Sequence, residues 1–169
     1  MIKLHCVDFS GEKKSSASCK ALLKKYKDAK LIDTRSVFID MYSQFYEHAR
    51  THDPLLPEVK KWTWTKIKKD TGAKLKRVHF ISSPRQEVLG FIVYSVVKGN
   101  IAFIDYLFVK PEHRRKGVAS KALDAVRNEA QVAKCKCVYI GCAISNTSAL
   151  SLYESKGYKK LIVDLQLTL

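Results

Sequence analysis

The sequence predicts one α/β domain, in which a mostly helical part precedes a β-rich part. The apolar residues repeat at helical spacing as far as Gly72 and then change to the runs typical of β-strands. The length of 169 residues suits one domain and is tight for two, and no repeat, low-complexity segment or linker divides the chain. Hydrophobic residues make up 46% of the chain, which excludes a disordered protein.

The first part of the chain is predicted to contain one short strand and three helices. Ile2 to Phe9 favours a strand that Ser10-Gly11 closes. Helical spacing predicts a helix over 17–29, a second around Val37, Met41 and Phe45 that ends at His52-Asp53-Pro54, and a third over 58–69.

The second part of the chain is predicted to be a sheet with two further helices. Strands are predicted over 77–82, 88–97, 101–109, 137–143 and 158–167, and helices over 115–132 and 147–156. Gly99-Asn100 separates two of these strands by a short break, so we expect them to form an antiparallel hairpin.

Charge and cysteine content indicate the environment. Lysine and arginine number 31 against 16 acidic residues, which gives a net charge of +15. The most apolar run, 88–97, is far shorter than the roughly 20 residues that cross a membrane. Five cysteines at irregular spacing, with no secretory signal pattern, predict reduced thiols and a cytoplasmic protein without a structural metal site. We expect no membrane association and a monomer or homodimer.

The stretch from Leu107 to Ser120 has the composition of an anion-binding loop. A strand ends at Val109, Pro111 opens a loop, and a helix begins around Arg115 to Gly117. The first turn of a helix presents unpaired N–H groups and the positive end of the dipole, so it can hold a phosphate. Arg114, Arg115 and Lys116 add positive charge. The alternative is a basic loop that merely precedes an amphipathic helix.

Two blocks of this sequence resemble the GNAT family of N-acetyltransferases. Arg114-x-x-Gly117-x-Ala119, which follows Leu107-x-Val109-x-Pro111, resembles the acetyl-CoA pyrophosphate signature of that family. Asn146-x-x-Ala149-x-x-x-Tyr153-x-x-x-Gly157-Tyr158 resembles its later block. The resemblance covers residues 77 to 160.

The resemblance implies a mixed, mostly antiparallel central sheet of six to seven strands flanked by helices, with an enlarged helical N-terminal part. It implies that acetyl-CoA enters a gap between the fourth and fifth strands. Residues 77–160 would then form the acetyl-CoA-binding core, and residues 10–72 the acceptor side of a single domain, 1–169.

The same resemblance assigns the cofactor contacts. The backbone of Leu107, Phe108 and Val109 would pair with the pantetheine arm, and an amide near Leu107 would polarise the thioester carbonyl. Asn146 would contact the arm or a bound water, or it would only cap the helix that follows. The pyrophosphate would be bound by the loop and the first helical turn, namely Arg114, Arg115, Lys116, Gly117, Val118, Ala119 and Ser120.

Two residues are candidates for proton transfer. Tyr153 resembles the acid that protonates the leaving CoA thiolate, and the alternative is a packed aromatic side chain. Asp105 stands where many family members carry an acidic residue, and an apolar strand holds a carboxylate only if it is partnered or functional. It is therefore a candidate base or a salt-bridged strand residue; Tyr106 and Glu87 are weaker candidates.

Other residues have less specific patterns. His48 and His52 lie four apart on a predicted helix and are expected to be solvated rather than metal ligands. Cys142 on the fifth strand is expected to be buried. The segment from Lys60 to Arg77 combines eight basic residues with Trp62 and Trp64. It predicts either a nucleic-acid surface or a solvated lysine face with the tryptophans packed inward.

The resulting hypothesis is an acetyl-CoA-dependent N-acetyltransferase that works by direct attack of a primary amine in a ternary complex, without a metal. Because the protein is strongly basic, an acidic protein or an RNA-borne amine is the expected acceptor. The alternative is a basic nucleic-acid-binding module on a GNAT scaffold, with residual or no catalysis.

Overall fold

A computed structural model of the protein describes residues 2–8, 34–71 and 77–162. These ranges contain five strands and four α-helices. The strands are β1 Lys3–Asp8, β2 Arg77–Ser82, β3 Val88–Val96, β4 Ile101–Val109 and β5 Cys137–Ile140. The helices are α1 Thr34–Arg50, α2 Trp64–Thr71, α3 Val118–Val132 and α4 Thr147–Ser155, with a 3-10 turn at Pro111–His113. None of these helices has the length and hydrophobicity needed to span a membrane.

The strands form one sheet in the order β1-β2-β3-β4-β5. Strands β1 to β4 pair antiparallel, and β5 pairs parallel to β4. The predicted hairpin between β3 and β4 is confirmed, with Val97 N–H donating to Ile101 O at 3.1 Å across the turn. Gly90 is required in β3, because a Cβ at that position would lie 2.0 Å from the Phe108 carbonyl oxygen. The mixed, mostly antiparallel sheet flanked by helices agrees with the prediction.

Each face of the sheet has its own core, because side chains alternate along a strand. On one face, α1 and α2 cover Phe91, Val93 and Phe108. On the other face, α3 covers Ile92, Tyr94 and Ile104. Because both faces of β3 are buried, its sequence is a nearly continuous run of apolar residues.

The fourth and fifth strands separate after a short paired stretch. Pairing between β4 and β5 runs from Ile101 with Cys137 to Ile104 with Ile140. Strand β4 then continues to Val109, whereas β5 ends at Ile140. This separation leaves a gap beside the second half of β4, at the position that the sequence analysis predicted.

Several boundaries differ from the predictions. Helix α2 begins at Trp64 rather than at 58, because Thr63 Oγ1 accepts the N–H of Lys66 at 3.3 Å and caps the helix. Helix α3 begins at Val118 rather than at 115, because Gly117 has a φ of 73° and ends the preceding loop in the left-handed region.

The sheet has five strands in the described ranges, where six to seven were predicted. Residues 158–162, the first half of the predicted final strand, are not in a strand. They follow Gly157, whose φ of 85° turns the chain away after α4. The second half of that strand and the helix predicted over 17–29 lie outside the described residues.

Candidate functional site

A cavity of about 590 Å³ lies in the gap between β4 and β5. Its wall comes from the end of α1, the second half of β4, the loop and first turn of α3, the end of β5 and α4. It includes all but one of the residues predicted to act in catalysis or cofactor binding: Asp105, Leu107, Phe108, Val109, Arg114, Arg115, Gly117, Val118, Ala119, Ser120, Asn146 and Tyr153. Lys116 is the exception. A second cavity, of about 660 Å³, lies between β1, Tyr94 and α3.

Strand β4 is irregular where it enters the cavity. Val93 of β3 pairs with Tyr106, and the next residue, Tyr94, pairs with Ile104. Asp105 is therefore the extra residue of a β-bulge, which turns side chains away from regular alternation. Asp105 is half-buried and lines the cavity at this point.

The loop before α3 presents backbone amides to the cavity. Lys121 is the first residue whose N–H donates within the helix, to Gly117 O at 3.1 Å, so the amides of Val118, Ala119 and Ser120 lack helical acceptors. A Cβ on Gly117 would meet nothing within 4 Å. There is consequently open space for an anion against the positive end of this helix.

The basic residues of the loop have different roles in the structure. Arg114 donates from Nε to the carbonyl of Val109 at 3.0 Å, and its guanidinium lies 5.8 Å from the ring centre of Phe108. Arg115 lines the cavity with a φ of 60°. Lys116 donates from Nζ to the Glu112 carbonyl at 2.8 Å and lies outside the cavity wall.

Tyr153 projects from α4 into the cavity and belongs partly to the core under α3. Helix α4 is held there because Lys156 Nζ contacts Asp124 Oδ2 at 2.6 Å, and Arg127 donates to the Lys156 carbonyl at 2.7 Å. Burial raises the pKa of Tyr153 well above its ordinary value, and nearby Cys142 and Tyr158 add to the shift. The phenol is therefore protonated throughout the physiological range and can serve as a proton donor.

Asn146 and Cys142 lie at the rim of the same cavity. The Oδ1 of Asn146 accepts from the Ala149 N–H at 3.2 Å and from Ser148 Oγ at 3.1 Å, so this residue caps α4. Burial raises the pKa of the Cys142 thiol, which keeps it in the less nucleophilic protonated form.

His48 and His52, which the sequence indicated as solvated, line the cavity. Their ring centres lie 5.0 Å apart near the end of α1, and His52 Nδ1 lies 3.2 Å from Ser145 Oγ on the β5–α4 loop. Burial lowers the pKa of His48, and the charges of Arg114 and His52 lower it further. The spacing of four residues predicted that the two rings share a helix face, but α1 ends at Arg50 and His52 lies in the turn that follows. No local signal showed that either ring meets the cavity.

A second feature that the sequence did not show is a polar chain through the core beside the cavity. Tyr42 Oη donates to Asp70 Oδ2 at 2.5 Å, although Tyr42 is 1% exposed. Tyr106, which lines the cavity, packs edge-on against Tyr42 with ring centres 6.1 Å apart. Burial raises the pKa of Tyr106, the charges of Asp70 and Asp105 add to the shift, and a hydrogen bond with Tyr42 offsets part of it.

The basic segment near α2 has its tryptophans packed inward. Trp62 is 7% exposed and lies edge-on to Tyr42 and Tyr46. Trp64 packs against Phe38, and Arg35 lies over its ring at 5.5 Å. Of the described lysines, Lys60, Lys61, Lys66, Lys68 and Lys69 are exposed. This arrangement matches the alternative of a solvated lysine face, because neither indole is presented for stacking on a base.

Comparison with known proteins gives a consistent result. The model of a family described as the acetyltransferase (GNAT) family matches residues 36–158. No curated protein matches the chain in sequence. The chain superposes on the tetramutant of the BH1408 protein from Bacillus halodurans with a TM-score of 0.66 and 12% identity, covering 100% of this chain and 99% of that one.

Two further solved structures have the same fold. The ribosomal-protein-alanine N-acetyltransferase from Brucella melitensis biovar Abortus 2308 superposes with a TM-score of 0.62 and 10% identity over 100% of both chains. The aminoglycoside acetyltransferase meta-AAC0020 from an uncultured soil metagenomic sample has a TM-score of 0.58 and 14% identity, covering 99% of this chain and 96% of that one. At such identities the likeness shows the fold alone.

Proposed function

Because this chain belongs to the GNAT family of acetyltransferases, we propose that it transfers the acetyl group of acetyl-CoA to a primary amine by direct attack in a ternary complex. One observation carries the proposal. The gap between β4 and β5 ends at the open first turn of α3, so an unpaired strand edge and an anion site line one continuous cavity. An extended arm that ends in a diphosphate has that shape and chemistry.

The residues present fit acetyl-CoA. We propose that the backbone of Leu107, Phe108 and Val109 pairs with the amides of the pantetheine arm, as a strand would. The first-turn amides of Val118, Ala119 and Ser120 would hold the pyrophosphate beside Gly117, where open space lies against the helix end. Arg115 and the outer nitrogens of Arg114 would supply charge, and Asn146 would donate to the arm. Acetyl-CoA supplies the activated acetyl group, and no metal is needed.

The chain's own groups then carry the transfer. The attack of the amine places negative charge on the thioester oxygen, and an amide of β4 near Leu107 stabilises it. Tyr153 donates its proton to the departing sulfur. Without this donation CoA would leave as a charged thiolate, because the pKa of its thiol is near 8.5. Burial keeps the Tyr153 phenol protonated before the reaction.

Asp105 provides the negative charge at the acceptor end of the cavity. Its position in the bulge places the carboxylate at the point where β4 enters the gap. We propose that it attracts the protonated amine, and it is also a candidate acceptor of the proton that the amine loses. We propose that residues within 10–72 supply the rest of the acceptor side.

The acceptor is proposed from charge. A protein of net charge +15 repels polyamines and attracts an amine in acidic surroundings, such as an acidic protein or an RNA-borne amine. The names of the Brucella and soil proteins give a protein alanine and an aminoglycoside as acceptors, and both are amines. We retain the cytoplasm as the predicted compartment, on the same irregularly spaced cysteines.

Two measurements test the proposal. Titration calorimetry with acetyl-CoA should show binding that Gly117→Glu removes. Thiol release from acetyl-CoA should increase when total cell protein or total RNA is added. Binding without any thiol release from either probe would contradict the transferase and favour a binding module on this scaffold.

A further inference from the structure

A series of polar side chains in contact leads from the cavity to the protein surface through the core under α1. It begins at Tyr106, which lines the cavity, passes Tyr42, which is 1% exposed, and ends at Asp70, whose carboxylate is exposed on α2. The Tyr42 hydroxyl donates to Asp70 Oδ2 at 2.5 Å. A buried phenol that gives its only proton to a carboxylate leaves its oxygen free to accept from Tyr106.

The position of α1 shows which end of the cavity this chain meets. Along α1, Tyr42 contacts the ring of Tyr106, Phe45 contacts the rings of Tyr106 and Phe108, and His48 is close enough to Arg114 to be affected by its charge. The helix therefore runs beside β4 toward the anion loop. Tyr106 lies at the opposite end, next to the bulge at Asp105, where the proposed function places the acceptor amine.

We infer that the acceptor's proton leaves the cavity through Tyr106 and Tyr42 to Asp70, and from there to solvent. This inference rests on the proposed function. The bound ammonium gives one N–H proton to Tyr106 Oη, which frees the nitrogen lone pair for attack on the thioester carbon. In the same concerted movement, Tyr106 gives its proton to Tyr42 Oη and Tyr42 gives its own to Asp70 Oδ2. The exposed carboxylic acid then releases that proton to water, and both phenols are neutral before and after the step. The second N–H proton becomes acidic once the C–N bond forms, and it replaces the proton that Tyr153 gives to sulfur.

The surroundings of the chain favour this route. Tyr42 is enclosed by Phe38, Phe45 and Trp62, so water does not reach its hydroxyl from the core. A polar group in such a place is retained at a cost unless its hydrogen bonds are satisfied. Among these three residues, Tyr106 contacts the acceptor and is the catalytic residue. Tyr42 and Asp70 are positioning residues that act through it. Asp105 keeps the role of attracting the amine by charge.

The variants Asp70→Asn, Tyr42→Phe and Tyr106→Phe each interrupt the chain. Tyr46→Phe is the matched control, because Tyr46 packs on the same tryptophan but donates to the Pro57 carbonyl at 3.3 Å instead. Asp70→Asn changes an exposed side chain, so it tests the inference even if a core variant fails to fold. Acetyl-CoA affinity of each variant is measured by calorimetry to establish an intact cofactor site.

The readout is thiol release from acetyl-CoA with total cell protein or total RNA, whichever probe is active, between about pH 6.5 and about pH 9.5. A variant in which the Tyr106–Tyr42–Asp70 series is interrupted can use only those amine molecules that are already deprotonated in solution. We therefore expect a loss of kcat of about tenfold or more at neutral pH that shrinks steadily toward alkaline pH, where the amine loses its proton unaided. Tyr46→Phe should retain the wild-type pH profile.

Three results would overturn the inference. A loss in Asp70→Asn that is the same at every pH would indicate a purely structural role. Thiol release in Asp70→Asn and Tyr106→Phe that matches Tyr46→Phe would overturn the chain and leave the acetyltransferase proposal intact. Wild-type protein that binds acetyl-CoA but releases no thiol with either probe would overturn both.

Discussion

Arg114 Nε donates to the carbonyl oxygen of Val109 at 3.0 Å, which ties the anion loop to the end of β4. The same guanidinium lies over the Phe108 ring. These two contacts fix the distance between the strand edge proposed for the pantetheine arm and the helix end proposed for its phosphates. Arg114 is thus a structural link as well as a charge, which gives it a different expected phenotype from its neighbour Arg115.

Arg114→Lys keeps the charge but removes the planar group that reaches Val109. We expect acetyl-CoA affinity to fall about tenfold, or about 1.4 kcal/mol, because the loop loses its fixed position relative to β4. Arg115→Lys is the matched control and should change affinity by less than about threefold. Titration calorimetry measures both. Unchanged affinity in Arg114→Lys would mean that charge alone determines the contribution of this loop.

Gly117→Glu should abolish measurable acetyl-CoA binding, with a loss of at least about 100-fold, or about 2.7 kcal/mol. The new carboxylate would occupy the open space beside the first-turn amides and repel phosphate. Gly99→Glu is the control, because Gly99 has nearly the same φ, 72° against 73°, in a turn away from the cavity. Both variants carry the strain of a left-handed residue, so only loss of binding specific to Gly117→Glu supports the phosphate site.

Tyr153→Phe should lower kcat by about 100-fold or more while acetyl-CoA affinity stays unchanged. The hydroxyl is the proposed proton donor to sulfur, whereas the ring is already packed in the core. Tyr158→Phe is the control, since its ring lies 6.0 Å from that of Tyr153 and is not part of the cavity wall. Steady-state thiol release measures the effect. A kcat near the wild-type value in Tyr153→Phe would leave this residue only a packing role.

His48 should titrate below the ordinary histidine pKa of about 6.5, because burial and the charge of Arg114 disfavour its protonated form. Just below about pH 6.5, the His48 imidazole binds a proton in the unfolded chain but not in the folded chain. The free energy of unfolding therefore falls as the pH drops from about 6.5 toward the pKa of His48 in the folded protein. His48→Gln should therefore lose less of its Tm on acidification than the wild type. NMR titration of the imidazole gives the pKa directly, and a midpoint above about 6.5 would contradict the assignment.

Gly90→Ala should destabilise the fold by roughly 2–3 kcal/mol. The added Cβ would lie 2.0 Å from the Phe108 carbonyl, which forces β3 and β4 apart next to the cavity. Gly141→Ala is the control, because a Cβ there meets nothing within 4 Å. The free energies of unfolding of the two variants, measured by denaturant titration, should differ by at least about 1.5 kcal/mol. A smaller difference would show that the hairpin accommodates the added methyl group without loss of stability.

The local pattern of the sequence predicted most of the second part of the fold. The hairpin of β3 and β4, the amphipathic α3 and the short α4 follow from periodicity and turn residues, which act between near neighbours in the chain. The boundaries were less accurate, because helix starts depend on single capping residues such as Thr63 and on the φ of Gly117.

The sequence also predicted that the candidate cofactor residues lie close together in the fold. All of them except Asn146 occupy one continuous strand, loop and helix, so their order along the chain nearly fixes their order in space. Lys116 is the exception, since its side chain turns back to Glu112. Its direction depends on the conformation of the neighbouring loop rather than on its place in the motif.

The sequence by itself determined the family, the hairpin of β3 and β4 with the helices that follow it, and most of the cofactor residues beside β4. Only the tertiary structure decided that His48 faces this cavity, that Asp105 occupies a bulge, and that Tyr42 joins Tyr106 to Asp70. These relationships join residues that are far apart in the chain. They arise from the angle at which α1 crosses the sheet and from the register of β3 against β4, which the packing of the whole core sets and no local pattern records.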